Sequence, residues 1–174
     1  MKKISNKKSK FVRTQGFTLI EVLITVVVLS IGLLGLASLQ AASLQSNNNS
    51  IARSQAAILA SDMADRVRAN IQGRNAGNYH LPAAAAVGAC AIPPGCTAAQ
   101  LAQNDAAEWN AAITQALAGG QGVVCIDSTA APAGTSIANH QCDGVGPLFV
   151  IKLWWDDDRN LATPNQQFIT SFQP

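Results

Sequence analysis

Hydrophobic and polar residues are distributed unevenly along this 174-residue chain. From Phe17 to Leu39 the side chains are mostly apolar, and Glu21 is the only charge among them. At about 1.5 Å of rise per helical residue, roughly 23 residues reach about 35 Å, more than a bilayer core of about 30 Å. This run predicts a transmembrane helix over 17–39. From Gln40 to Gln72 the apolar residues thin to one stripe, with Leu44, Ile51, Ile58, Leu59, Met63, Val67 and Ile71 at helical spacing and no proline or glycine between them. Asp62 with Arg66 and Asp65 with Arg68 add possible i,i+4 and i,i+3 pairs. The pattern predicts an amphipathic continuation of the same helix over 40–72.

Beyond Gln72 the period changes. Gly73 to Gly95 is rich in glycine, alanine and proline and reads as a connecting loop. Thr97-Ala98-Ala99-Gln100 has the form of a capping box, and Leu101, Trp109, Ile113 and Leu117 follow before Gly119-Gly120, so a shorter second helix is expected. Val123 to Ile126, Leu148 to Trp155 and Gln167 to Phe172 read as strands between turn residues. The expected fold class is α+β: a long N-terminal helix packed against a small antiparallel sheet, with one globular head over 73–174.

Charge sharpens the N-terminal picture. Six of the twelve Lys and Arg residues stand before Gly16, in a leader with no acidic residue. The formal charge of the whole chain is +2, and without the leader six basic residues face ten acidic ones, about −4. The basic balance is thus a targeting signal, and it places the leader on the cytoplasmic side. An ordinary secretory signal has an apolar region of roughly 7–15 residues followed by a small-residue cleavage site; here the run is longer and the small residue, Gly16, precedes it. A plain signal anchor explains the length but leaves Glu21 unexplained. An acid in the membrane costs about 2.5–3.5 kcal/mol on insertion scales, less near an interface, so Glu21 calls for a partner.

Gly16-Phe17-Thr18-Leu19-Ile20-Glu21-Val22-Leu23 resembles the signature of type IV pilin-like proteins, the class III prepilins. The chain looks closest to the PilV-type minor pilins, called type IV pilus modification proteins. A weaker likeness lies in Val150-Ile151-Lys152-Leu153-Trp154-Trp155-Asp156 and in Phe168-Ile169-Thr170-Ser171-Phe172. The resemblance implies that residues 1–16 are a leader removed by a prepilin peptidase after Gly16, that Phe17 becomes an N-methylated N-terminus, and that Glu21 meets the N-terminal ammonium of a neighbouring subunit. Two opposite charges in a low dielectric attract strongly, so docking offsets the cost of the carboxylate. Gly32 and Gly35 each weaken the helix by about 1 kcal/mol relative to alanine; close helix packing and local unwinding in a fibre both account for them.

The four cysteines Cys90, Cys96, Cys125 and Cys142 lie in the part expected to face an oxidising periplasm, where disulfides form. Four cysteines allow three connectivities, and pairing of sequence neighbours is the expected one. A zinc site is disfavoured, because no Cys-Xaa-Xaa-Cys spacing is present and His80 and His140 stand at no ligand spacing from a cysteine pair. The acidic run after Trp155 lacks the alternating ligands, the glycine and the distal glutamate of an EF-hand, so it reads as a charged turn and no metal is expected. If the strand runs through Trp154 and Trp155, they face opposite sides: one is expected in the core, the other as an exposed interface residue. Arg53, Arg66, Arg68 and Arg74 have no interleaved aromatics, which disfavours nucleic-acid binding. No catalytic motif is present, and neither enzyme nor cofactor is expected.

The sequence therefore points to a minor pilin subunit of a Gram-negative envelope, first in the inner membrane and then in a pilus. The implied partners are the prepilin peptidase, other minor pilins, the major pilin and a large pilus-tip adhesin, with adhesion and twitching motility as the associated activities. Two alternatives stand: a pseudopilin of a type II secretion system, and a membrane-anchored periplasmic binding module that never polymerises.

Overall fold

The computed structural model describes residues 16–129, 134–156 and 166–173. The basic leader, positions 157–160 of the acidic run and part of the loop between Cys125 and Cys142 lie outside the described residues. Helix α1, Leu19–Ala69, crosses the boundary between two compact units, 1–45 and 46–174.

In the first unit the helix has no partner among the described residues, all of which are exposed. Its hydroxyls return to the helix itself: Thr25 Oγ1 donates to the Val22 carbonyl at 2.7 Å, Ser30 Oγ to Val26 at 2.7 Å and Ser38 Oγ to Gly35 at 2.8 Å. A polar group satisfied by its own backbone costs little in an apolar medium. A Cβ at Gly32 or Gly35 would meet nothing within 4 Å, so nothing in this chain's own packing requires glycine at either position.

In the second unit the end of α1 turns Ala56, Leu59, Ala60, Met63, Ala64 and Val67 inward. These join Trp109 and Ile113 of α3, Ala98–Ala116, and the inner face of a three-stranded antiparallel sheet in one hydrophobic core. The strands are β1, Gln121–Ile126, β2, Phe149–Trp155, and β3, Gln166–Phe172, in the order β1-β2-β3. Phe149, Ile151, Leu153 and Trp155 of β2 face the helices. Trp109 Nε1 donates to the Leu59 carbonyl at 2.7 Å and ties α3 to α1. At Gly122 a Cβ would come within 2.5 Å of Ile113 Cδ1 and 2.7 Å of Trp109 Cη2, so only glycine lets α3 lie this close to β1. The long helix and small antiparallel sheet make this the expected α+β fold.

Thr97 and Gln100 cap α3 reciprocally: Gln100 N donates to Thr97 Oγ1 at 3.3 Å and Thr97 N to Gln100 Oε1 at 3.0 Å. The helix expected to continue unbroken to Gln72 stops at Ala69. Asn70 leaves the helical conformation and starts a new five-residue helix, α2, Ile71–Asn75. Its Oδ1 accepts from Gly73 N at 3.0 Å, and its Nδ2 donates to the Ala98 carbonyl at 2.8 Å and to Tyr79 Oη at 3.2 Å. Asparagine competes with helix by this kind of local bonding. Proline and glycine are therefore not the only breakers in the run.

Asn70→Ala removes all three bonds from a buried site and is expected to lower stability by about 1–3 kcal/mol. Asn75→Ala, at an exposed position, should change it by less than about 0.5 kcal/mol. Denaturant unfolding of the full chain in detergent, followed by tryptophan fluorescence, checks the difference.

Candidate assembly site

Gly16, Phe17 and Thr18 precede α1, and all three are exposed. A Cβ at Gly16 would meet nothing within 4 Å, so the fold does not ask for glycine here. Thr18 opens the helix: its carbonyl accepts from Glu21 N at 3.1 Å and Val22 N at 3.3 Å, and its Oγ1 accepts from Glu21 N at 3.4 Å. The Thr-Xaa-Xaa-Glu spacing is a start signal legible in the sequence, one that an argument from charge alone does not use. Glu21 sits in the first turn, where a negative charge complements the helix dipole. Around it Phe17 is 85% exposed and Leu19 83%. The one helix long and apolar enough to cross a membrane among the described residues is this one, with its apolar window wholly unburied.

The head has a second covered surface. Val150, Lys152 and Trp154 of β2 face away from the helices, and a solvated face would leave them exposed. All three are buried, because described residues that follow β1, Gly134 and His140–Cys142 among them, lie across this side of the sheet. Lys152 Nζ lies 2.7 Å from Asp127 Oδ2 and donates to the carbonyls of His140 at 2.9 Å and Gln141 at 3.3 Å. Cys125, on the same side of β1, is joined to Cys142 by a disulfide. Trp154 Nε1 donates to the Gly134 carbonyl at 3.4 Å. This corrects the expectation of an exposed tryptophan: Trp154 and Trp155 do face opposite sides, but they are 1% and 2% exposed, one under the disulfide-closed loop and the other in the core. Neither presents a surface to a partner.

A second disulfide joins Cys90 to Cys96 around the proline-bearing loop. With Cys125 and Cys142 in a disulfide, the group Cys125, Asp127 and Cys142 offers a metal only the Asp127 carboxylate, which Lys152 already holds; the residues do not fit an ion. His80 Nδ1 accepts from Ile126 N at 3.1 Å and His140 Nδ1 from Cys142 N at 3.0 Å, so both histidines serve the backbone.

Where α1 meets α3, Arg66 binds three carboxylates: Asp62 at 3.0 Å, Asp105 at 3.1 Å and Glu108 at 2.8 Å. Burial works against its charge, but hydrogen bonds to Glu108, Asp62 and Asp105 more than offset this and raise its pKa. Tyr79 Oη donates to Asp105 Oδ2; burial, then this bond, pushes the phenol up. The Glu108 carboxyl is held below the usual range by Arg66 and by Asn104, whose Nδ2 donates at 2.8 Å. The pair with Asp62 is the i,i+4 pair expected from the sequence, but Asp105 and Glu108 lie 39 and 42 residues from Arg66, separations that leave no periodic signal.

A family model described as type IV pilin Tt1218 matches residues 38–107, and one described as the prokaryotic N-terminal methylation motif matches residues 12–37. No curated protein and no solved structure matches the chain. The chain is a type IV pilin-like protein, a structural subunit and not an enzyme. Its motif implies processing by a prepilin peptidase and assembly with other pilins, and with the apolar half of α1 it marks a membrane-anchored pilin.

Two outcomes test the head's chemistry. Asp127→Ala leaves the Lys152 ammonium buried without its carboxylate, and should destabilise by about 3–5 kcal/mol in denaturant unfolding, whereas pairing it with Lys152→Met should recover much of that loss. Glu108 has a depressed folded-state pKa, so its contribution is present above the unfolded value of about 4.3 and is lost as pH falls through the lower folded one. Thermal unfolding between pH 6 and 3 should show a shallower acid-side fall for Arg66→Ala than for wild type.

Proposed function

We propose that this chain is a minor pilin of the PilV type, cut after Gly16, N-methylated at Phe17 and incorporated with other minor pilins into the complex that initiates a type IV pilus. Its leader is cytoplasmic and its head periplasmic before assembly, and a large tip adhesin is the implied neighbour. The observation that carries this reading is Glu21: a carboxylate on an exposed apolar helix, four residues after the proposed new N-terminus. In a low-dielectric setting such a group needs a cation, and a neighbouring subunit's N-terminal ammonium supplies one without adding another charge to the helix. A simple anchor has no use for this charge, since losing it would ease insertion by up to about 3 kcal/mol. The minor-pilin assignment within the fold is supported by the resemblance of Val150–Asp156 and Phe168–Phe172 stated above.

Glu21→Ala is expected to be processed normally and to drop out of sheared pili by at least tenfold; wild-type incorporation would overturn the assembly reading. Deleting the chain should remove surface pili while leaving export of folded proteins to the medium intact. Loss of export with normal pili would instead assign it to a secretion pseudopilus, and no change in either would favour a non-polymerising anchor.

A further inference from the structure

The sheet has three strands, and β3 forms one of its edges. Main-chain directions follow from the register. Leu81 N donates to the Val124 carbonyl and Ile126 N to His80 Nδ1, so Val124 and Ile126 point their main-chain groups away from β2. In an antiparallel ladder the direction alternates residue by residue. Their partners Ile151 and Phe149 therefore bond to β3, through Thr170 and Phe172, and Gln167, Ile169 and Ser171 direct N–H and C=O groups outward. Among the described residues none bonds to these outward groups. The opposite edge is already engaged by Leu81, His80 and Gly144.

Natural edge strands are usually blunted by lysine, proline or a bulge. β3, Gln-Gln-Phe-Ile-Thr-Ser-Phe, has none of these and no charge, and its pairing to β2 is unbroken over seven residues. Beside it, on the helix side, lies an open groove of about 280 Å³ between Phe168, Thr170 and Phe172 of β3 and Ala57, Ser61 and Arg68 of α1. A fourth strand would pair with the outward groups and place alternate side chains in this groove.

We infer that the β3 edge is a strand-addition site, occupied by an extended, uncharged segment from the head of a neighbouring pilin-like subunit. This deepens the assembly reading and rests on it. Another strand can replace the water on a whole row of main-chain donors and acceptors in register. Subunits held together through their α1 helices bring each other's heads to high effective concentration, so a short, individually weak pairing suffices.

The test uses the full chain in piliated cells. Ser171→Pro removes one outward donor while leaving the bonds to β2, a substitution edges tolerate; Ser61→Arg fills the groove and leaves the β3 backbone untouched. Both are expected to be processed, oxidised and protease-resistant like wild type, and to fall at least fivefold in recovery with other pilin subunits, while Ser171→Ala does not. A photo-crosslinker at position 171 should give an adduct with a different pilin-like subunit, identified by mass spectrometry. Unchanged recovery of both variants, or adducts only with a second copy, with an unrelated protein or with nothing, would overturn the proposal. If Glu21→Ala abolishes incorporation while both edge variants incorporate normally, strand addition alone fails; if Glu21→Ala incorporates normally, the underlying assembly reading fails.

Discussion

Apolar surface that its own chain does not cover is the constraint from which this molecule follows. A helix that leaves Phe17 to Leu39 unburied is unsustainable in water, so the first unit must sit in lipid or among other helices. Polar groups along the apolar run suit that condition, from the hydroxyls of Thr25, Ser30 and Ser38 that bond their own backbone to a single carboxylate at the first turn. The same helix, past residue 45, changes its composition to alanine and a few large apolar residues and becomes the floor of a conventional core.

The head answers a different problem. Three strands make a small sheet, and a small sheet with one solvated face buries little. Here both faces of β2 are buried, one by α1 and α3 and the other by a loop that has few apolar anchors of its own. That loop is held by a disulfide at its base and by one ammonium that gathers Asp127 and two carbonyls. A buried ion pair is poor evidence for stability in itself, but it fixes where the loop lies.

Much of the fold was legible because its signals are local. The Thr97 and Gln100 cap, the stop at Gly119-Gly120 and the three strands each announce themselves within a few residues. The apolar run and Glu21 did the same for the N-terminal junction. Trp154 and Trp155 were not legible, because alternation along a strand tells which side a residue faces and not whether that side is covered. What covers Trp154 comes from a segment some 20 residues earlier in the chain. Asn70 was missed for the reverse reason: its capping bond to Gly73 is local, but asparagine is common enough inside helical runs that the break is marked only once Ala98 and Tyr79 also hold its side chain. Of the Arg66 cluster, Asp62 was legible one turn away on the same helix, whereas Asp105 and Glu108 join it only once α1 and α3 have met.

The buried lysine of β2 has a practical side. Of the chain's lysines, all but Lys152 stand before Gly16, and Lys152 is 0% exposed with its ammonium engaged. In a chain cut after Gly16, an acylating reagent meets one accessible amine, the new N-terminus itself. Such a subunit can be tagged at a single defined atom without genetic change; the mass of the tagged N-terminal peptide reports whether that nitrogen is methylated, and its failure to react reports that it is occupied.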